Sequence, residues 1–319
     1  MSKPFKTIDE QIEILKLRGL IIEDEERAKK HLLMYNYYNV INCYSKYLSN
    51  NNFYLKGANF NEIIQIHMFD EEIKSTLFKY LIEIEKHLKS IISYIFSKNH
   101  SAQNYPYLYT SNFRDDDLLS NTNLISKLAK IIREKSNAKL PPNSIKHYKN
   151  QHQNIPLWVL SNYMSLGETI LFFQRMKDSD QNEVAKEFSV FLNENLSLGK
   201  NVKLSSSDFL SILKNIKELR NVIAHNNKLL GFECRENIRY IKELHSKYSI
   251  NSNDKKQDIY NIFIAMQAVL SKNQYGRMHN TLLSRIKTLN KKLTTISSNE
   301  VLKSLGFPKD WHLSAKLPQ

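Results

Sequence analysis

A chain of 319 residues suffices for two ordinary domains or one elaborated helical domain, and 41% apolar residues allow a real core, which argues against global disorder. Seven glycines and seven prolines leave little punctuation for a many-stranded sheet; two cysteines, Cys43 and Cys234, are too few for a disulfide framework and are expected to be reduced and non-catalytic. The balance of 46 basic against 32 acidic residues, a net charge of +14, favours a polyanionic partner through phosphate contacts and counterion release. The first residues, MSKPFKTIDEQIEIL, lack the apolar core of a signal peptide, and no stretch is long and uncharged enough to span a bilayer. A soluble, cytoplasmic chain without a membrane partner is the expectation.

In chain order, a short helix is predicted from Thr7 to Leu17, with a capping box in Thr7 and Glu10 and a stop at Gly19. A second begins near Asp24 and runs through His31 to Met34. It leads into a tyrosine-dense stretch (Tyr35, Tyr37, Tyr38, Tyr44, Tyr47) read as core packing in preference to base stacking. These form an N-terminal helical module, residues 1–52, ending at Ser49-Asn50-Asn51-Asn52. The remainder, 53–319, is expected to be the main helical domain with inserted helices and a C-terminal extension.

Residues 61–98 keep apolar positions at three-or-four spacing (Ile63, Ile66, Ile73, Leu77, Leu81, Ile84, Leu88, Ile91, Ile95), which predicts one long helix, or two with a break near Phe69-Asp70. Its polar face should hold i,i+4 pairs such as Glu85 with Lys89, unless Glu85 or Lys89 reaches a site on a neighbouring helix. Residues 99–115 read as a loop, and a helix follows from Asp116 to about Lys135. The basic, proline-broken connector SNAKLPPNSIKHYKNQHQN is taken as an exposed loop that contacts RNA through Lys146 and Lys149. His147 and His152 within it have no Cys or carboxylate at ligand spacing, and no metal site or cofactor is expected there or elsewhere.

Two short helices joined at Ser165-Leu166-Gly167, with Trp158 as a core anchor, occupy residues 155–176. A helix from Asp180 to about Asn193 and a Gly199-Lys200 loop come next. Helices at 235–248, 255–271 and 278–293 follow the motif described below, and Phe307 and Trp311 pin the terminus. The expected class is all-α.

The stretch Ser207–Lys228 carries the chemistry. Ser207 or Asp208 caps a helix whose apolar stripe is Phe209, Ile212, Leu213, Ile216, Leu219 and Ile223, and whose end is the polar run Arg220-Asn221-Val222-Ile223-Ala224-His225-Asn226. Asn221 and His225, four apart, share a face; Arg220 lies about 140° round from His225. An Arg–His pair at such spacing is a weak signal, since chance gives about one match in this chain. A second match, Arg239 to His245, does occur and reads as charged, solvated helix. The filling of the first pair, polar at the end of an otherwise apolar helix, sets it apart. The plain alternative is a His225 that simply favours the helix's C-terminal carbonyls.

Together these landmarks resemble the Abi-like family of bacterial phage-resistance proteins (the abortive-infection D/F type) within the HEPN superfamily. The resemblance runs through Lys3-Pro4-Phe5 and Gln11 to Gly19, Tyr35-Asn36-Tyr37-Tyr38, FDEEIKSTLFKYLIEIEKHLKSIISY at 69–94, IPLWVLSNYMSLG at 155–167, RNVIAHNN at 220–227 and LGFPKDW at 305–311, in order and over nearly the whole chain. A lysine, Lys89, stands where the family usually has arginine. The resemblance implies a HEPN-type helical bundle with the Arg220/His225 motif at its cleft, two copies of which commonly meet across a homodimer. It also implies links to small structured noncoding RNAs and to the ancestry of RNA-guided type VI CRISPR nucleases.

The chemistry follows from the residue types. RNA carries its own nucleophile, the 2′-hydroxyl; His225 can act as general acid or base, Arg220 offers a fixed cationic fork for the phosphate, and Asn221 can orient the imidazole. Asn226, Lys228, Lys89, Lys146 and Lys149 complete the expected RNA contacts. The leading expectation is a metal-independent endoribonuclease leaving 2′,3′-cyclic phosphate ends. Its rivals are a ribonucleoprotein that grips a small noncoding RNA without cutting it, and a protein-interaction toxin of a toxin–antitoxin system.

Overall fold

Many of the helices start where the sequence supplies a side-chain cap, those beginning at Ile8, Glu25, Phe60 and Ser206 among them. The computed structural model describes residues 4–139, 141–197 and 201–315. Thr7 and Glu10 form the expected capping box at the head of α1 (Ile8–Leu17), and Asp24 caps α2 (Glu25–Tyr35). A π-helical turn, Tyr38–Asn42, and a minimal hairpin, β1 (Ser49–Asn50) with β2 (Phe53–Tyr54), follow; Asn51 and Asn52 turn it with φ of 46° and 69°. The tyrosine-dense stretch divides: Tyr44 is buried, Tyr37 and Tyr47 are half-buried, and Tyr35 and Tyr38 are exposed.

The axis of the fold is α3 (Phe60–Asn99), 40 residues capped by Asn59 with Glu62. At 1.5 Å per residue it is roughly 60 Å long. It does not break at Phe69-Asp70. Its apolar stripe is buried from Ile63 to Ile95 against the surrounding helices, except for the partly buried Ile91, and Glu85 pairs with Lys89 at 2.7 Å as the i,i+4 rule predicts. Around it stand α4 (Leu118–Asn137), α5 (Ser144–His152), α6 (Leu157–Leu160), α7 (Leu166–Arg175), α8 (Asp178–Leu196) and α9 (Ser206–Ala224). Later come α10 (Lys242–His245), α11 (Ile259–Ala265), α12 (Lys272–Lys292), α13 (Ser298–Lys303) and α14 (Trp311–Ser314). α12, α8, α6, α9 and α7 all pack on α3. The class is all-α, as expected.

Several expectations are corrected. The connector after α4 is not simply a loop: Asn143 accepts the Lys146 N–H at 3.0 Å and caps α5, whose Ile145 is buried, so the two prolines end before the helix begins. Trp158 is no core anchor, being 54% exposed. The segments 235–248 and 255–271 are helical only in short pieces. Their buried residues Cys234, Ile238, Ile241 and Leu244 mimic helical spacing, but the Cys234 and Ile238 N–H groups bond to Gln257 and Lys256 carbonyls and the Arg239 N–H to the Ser211 hydroxyl. His245 in the second Arg–His match is therefore fully buried, not solvated. The Gly199-Lys200 loop lies outside the described residues.

Phe307 and Trp311 are buried and pack on each other and on Phe263, which holds the chain near the end of the described residues; 316–319 lie outside them. Gly306 makes this possible. It has φ of +80°, and a Cβ there would stand 2.1 Å from Asp258 Cγ. Gly306→Ala is expected to cost more than about 2 kcal/mol through strain and collision together, as a lower denaturation midpoint in urea.

Candidate functional site

Ser205, two residues earlier than Ser207, caps α9 by accepting the Asp208 N–H at 3.0 Å. All six residues of the predicted stripe are buried, so the helix is held by its apolar face up to Ile223. Beyond it the chain closes in a Schellman motif. His225 is the C-cap; the Asn226 N–H bonds to the Ile223 carbonyl and the Asn227 N–H to the Val222 carbonyl, each at 3.0 Å, with Asn226 left-handed at φ 51°. Asparagine is the side chain other than glycine best suited to that conformation.

Rigid backbone here presents unengaged side chains. Arg220 is half-buried, and Asn221 and His225 are exposed. Among the described residues none of these three side chains makes a hydrogen bond or an ion pair, in contrast to Arg175, which is buried and bonded to Asn121, Asp116 and the Arg114 carbonyl. The helix end is closed by main-chain bonds, so the imidazole is not needed as its cap.

The tip is placed by α3. Asp70, fully buried, accepts the Leu229 N–H at 3.1 Å, the Leu230 N–H at 2.9 Å and the Tyr44 hydroxyl at 2.9 Å. Burial pushes its carboxyl above the usual range, opposed by Lys74 and by these hydrogen bonds. Lys74, also buried, lies 3.5 Å from Asp70 and 2.5 Å from Glu71 and donates to Asn226 Oδ1 at 2.8 Å. Sequence reasoning missed Asp70, Lys74 and their neighbours. The signal was there: Asp70 sits on the apolar stripe between Ile66 and Ile73, where a charge demands a buried partner.

Of the other predicted contacts, Asn226 and Lys228 join the tip, with Lys228 Nζ donating to the Cys43 carbonyl at 3.3 Å. Lys89 does not reach it. With Glu85 it lines a groove of about 730 Å³ bordered by Trp158 and Tyr94, and it is Lys74 that extends from α3 to the motif. Lys146 donates to the Ala138 carbonyl at 3.3 Å, and Lys149 is exposed on α5. No three His, Cys, Asp or Glu side chains among the described residues converge as metal ligands do.

Beside the tip, His31 Nε2 lies 3.3 Å from His67 Nδ1, and His67 Nε2 lies 3.9 Å from Glu71. Burial first, then His67 and Arg27, push His31 down to about 4; burial likewise lowers His67. Below pH 6.5 the unfolded chain therefore takes up protons that the native imidazoles refuse, and stability falls as pH drops toward 4. Thermal melts across that window should show this slope, and His31→Gln should flatten it. Asp70→Ala, which strands two N–H groups, a hydroxyl and a buried ammonium, is expected to cost about 3–5 kcal/mol in urea denaturation.

No curated protein and no solved structure matches this chain. A family model described as Abi-like protein matches residues 30–231, more than half of the chain, from α2 through the motif tip to just beyond the Asp70 contacts at Leu229 and Leu230. The chain belongs to the Abi-like protein family.

Proposed function

We propose that this protein is a phage-defence endoribonuclease of HEPN type that cuts RNA at the Arg220/His225 tip without a metal ion. Membership of the Abi-like family points to abortive infection. The observation that carries the catalytic reading is the Arg220-Asn221-His225 set, half-buried at Arg220 and exposed at Asn221 and His225: side chains suited to phosphate and proton chemistry, without a hydrogen-bond or ion-pair partner among the described residues, on a backbone held by the Schellman turn and by Asp70. A charge of +14 suits a polyanionic substrate.

In this reading the RNA phosphate docks on the Arg220 guanidinium, which neutralises charge on the phosphoryl oxygens as the 2′-oxygen attacks. His225 takes the 2′-hydroxyl proton or delivers one to the departing 5′-oxygen, the two roles a single imidazole cannot fill at one instant. A homodimer, bringing a second His225, supplies both. Asn221, on the same face as His225, orients the ring or holds the phosphate.

One feature favours a second reading, a ribonucleoprotein that holds structured RNA uncut. General acid–base histidines are ordinarily hydrogen-bonded to an orienting neighbour, and among the described residues of one copy no side chain, Asn221 included, is bonded to the His225 ring. The two readings separate cleanly on labelled single-stranded RNA. The catalytic reading expects full cleavage in EDTA, 2′,3′-cyclic phosphate ends, and a loss of roughly 10²–10⁴-fold in His225→Ala with affinity nearly unchanged. Binding without cleavage, equal in wild type and His225→Ala, would leave the ribonucleoprotein; a requirement for Mg²⁺ would sink the metal-independent mechanism.

A further inference from the structure

A cleft of about 420 Å³ opens beside the motif tip, between the end of α2 and the π-helical turn on one side and α3 with Asn226 and Lys228 on the other. It falls within the size range of small-ligand sites. Its construction departs from ordinary local structure at several points. Asn36, on its wall, is held at φ 58° and ψ 156°, a conformation otherwise almost confined to glycine, and its Oδ1 accepts the Asn39 N–H at 2.9 Å. The following turn is π-helical, a form frequent at functional sites. His67, 4% exposed, and Lys74, 4% exposed, form the floor.

The chemistry of the lining selects its occupant. The Tyr35 ring, 37% exposed, meets the His31 ring at 4.7 Å and the His67 ring at 4.9 Å, which offers a stacking face. Burial keeps both imidazoles uncharged at neutral pH, and Lys74 is balanced by Asp70 and Glu71, so the floor attracts no anion. The side-chain amide of Asn39 makes no bond within the described residues and is open to a hydrogen-bonding edge. Positive charge stands at the rim instead, in Lys228, which lines the cleft and has Lys46 near it. A planar, neutral, hydrogen-bonding ring inside and a phosphate at the mouth describe one chemical class, a nucleotide.

We propose that this cleft takes a single unpaired nucleobase, stacked on Tyr35 and read by Asn39, with its phosphate toward Lys228. Insofar as the base belongs to an RNA strand, this rests on the RNA reading above. The consequence is register. Lys228 and Asn226 belong to the turn that begins at His225, so a base seated here sets which phosphodiester meets Arg220 and His225. The Lys74–Asn226 bond connects the floor of the cleft to that turn directly.

The test uses the full chain, with the four nucleoside 5′-monophosphates in calorimetry and a labelled single-stranded oligoribonucleotide in filter binding. Tyr35→Ala and Asn39→Ala, both at exposed positions that leave the core intact, should each weaken binding about tenfold. Lys228→Ala should weaken monophosphates more than the corresponding nucleosides. Oligonucleotide binding that neither Tyr35→Ala nor Asn39→Ala alters overturns the base site while leaving the RNA reading standing. Monophosphates bound in a Tyr35- and Asn39-dependent way, with no oligonucleotide binding, keep the site as one for a free nucleotide and overturn the RNA reading. Failure of both probes to bind overturns both.

Discussion

The buried Asp70 carboxylate is the contact on which the candidate site depends. It joins three separate parts of the chain: Tyr44 from the N-terminal segment, α3 itself, and the Leu229–Leu230 backbone just past the motif. A charge at zero exposure is costly to bury, and a well-packed apolar side chain in its place is often at least as stable. What Asp70 adds is position. An apolar contact tolerates sliding, whereas two N–H groups converging on one carboxylate do not. The turn after His225 is therefore held in one place relative to α3, and the end of α9 with it.

The same device recurs at three other places in the chain. Glu62, near the head of α3, accepts the Thr294 and Thr295 N–H groups at 2.7 and 2.8 Å and so fixes the chain leaving α12. Arg175, at the end of α7, gathers the Arg114 carbonyl, Asn121 and Asp116. Asn195 donates to the Gln267 and Leu270 carbonyls at 2.9 and 2.8 Å, tying α8 to the irregular stretch before α12. In each case a buried polar side chain answers backbone groups that a helix would have satisfied internally. α3 carries two of these, and this is how a helix of 40 residues positions elements far apart in sequence.

What was legible in the sequence follows the same division. Elements governed by local rules, caps and the 3.6-residue period, read directly: α1 with its capping box, the span of α3 though not whether it breaks at Phe69-Asp70, and the buried stripe of α9. Elements governed by long-range polar contacts did not. Residues 234–244 bury at helical spacing without forming one helix, because their N–H groups go to residues 256 and 257 and to Ser211. Trp158 reads as a core aromatic in an apolar run, yet α6 is only four residues long and turns it outward. At the site, Arg220, Asn221 and His225 stood out because they interrupt an apolar helix, but their supports, Asp70, Lys74 and the His31–His67 pair, are charges and rings whose partners lie dozens of residues away. Only a charge on an apolar stripe betrayed one of them.

Local rules are broken most densely around one spot. A glycine-like backbone at Asn36, a π-helical turn, a left-handed Asn226, a buried ammonium and the buried His67 imidazole all surround the cleft beside the motif. Each costs stability by itself, the strained backbone alone about 1–3 kcal/mol. Sequences that fold well keep local and global preferences in agreement, and departures concentrate where function requires them. Arg220, Asn221 and His225 show the converse: ordinary backbone, no side-chain hydrogen bond or ion pair among the described residues, and exposure at Asn221 and His225. Unengaged side chains on a fixed turn and a shaped cleft with polar walls thus stand side by side. Asn226, one residue from His225 and bonded to Lys74, is where the candidate tip and the cleft meet.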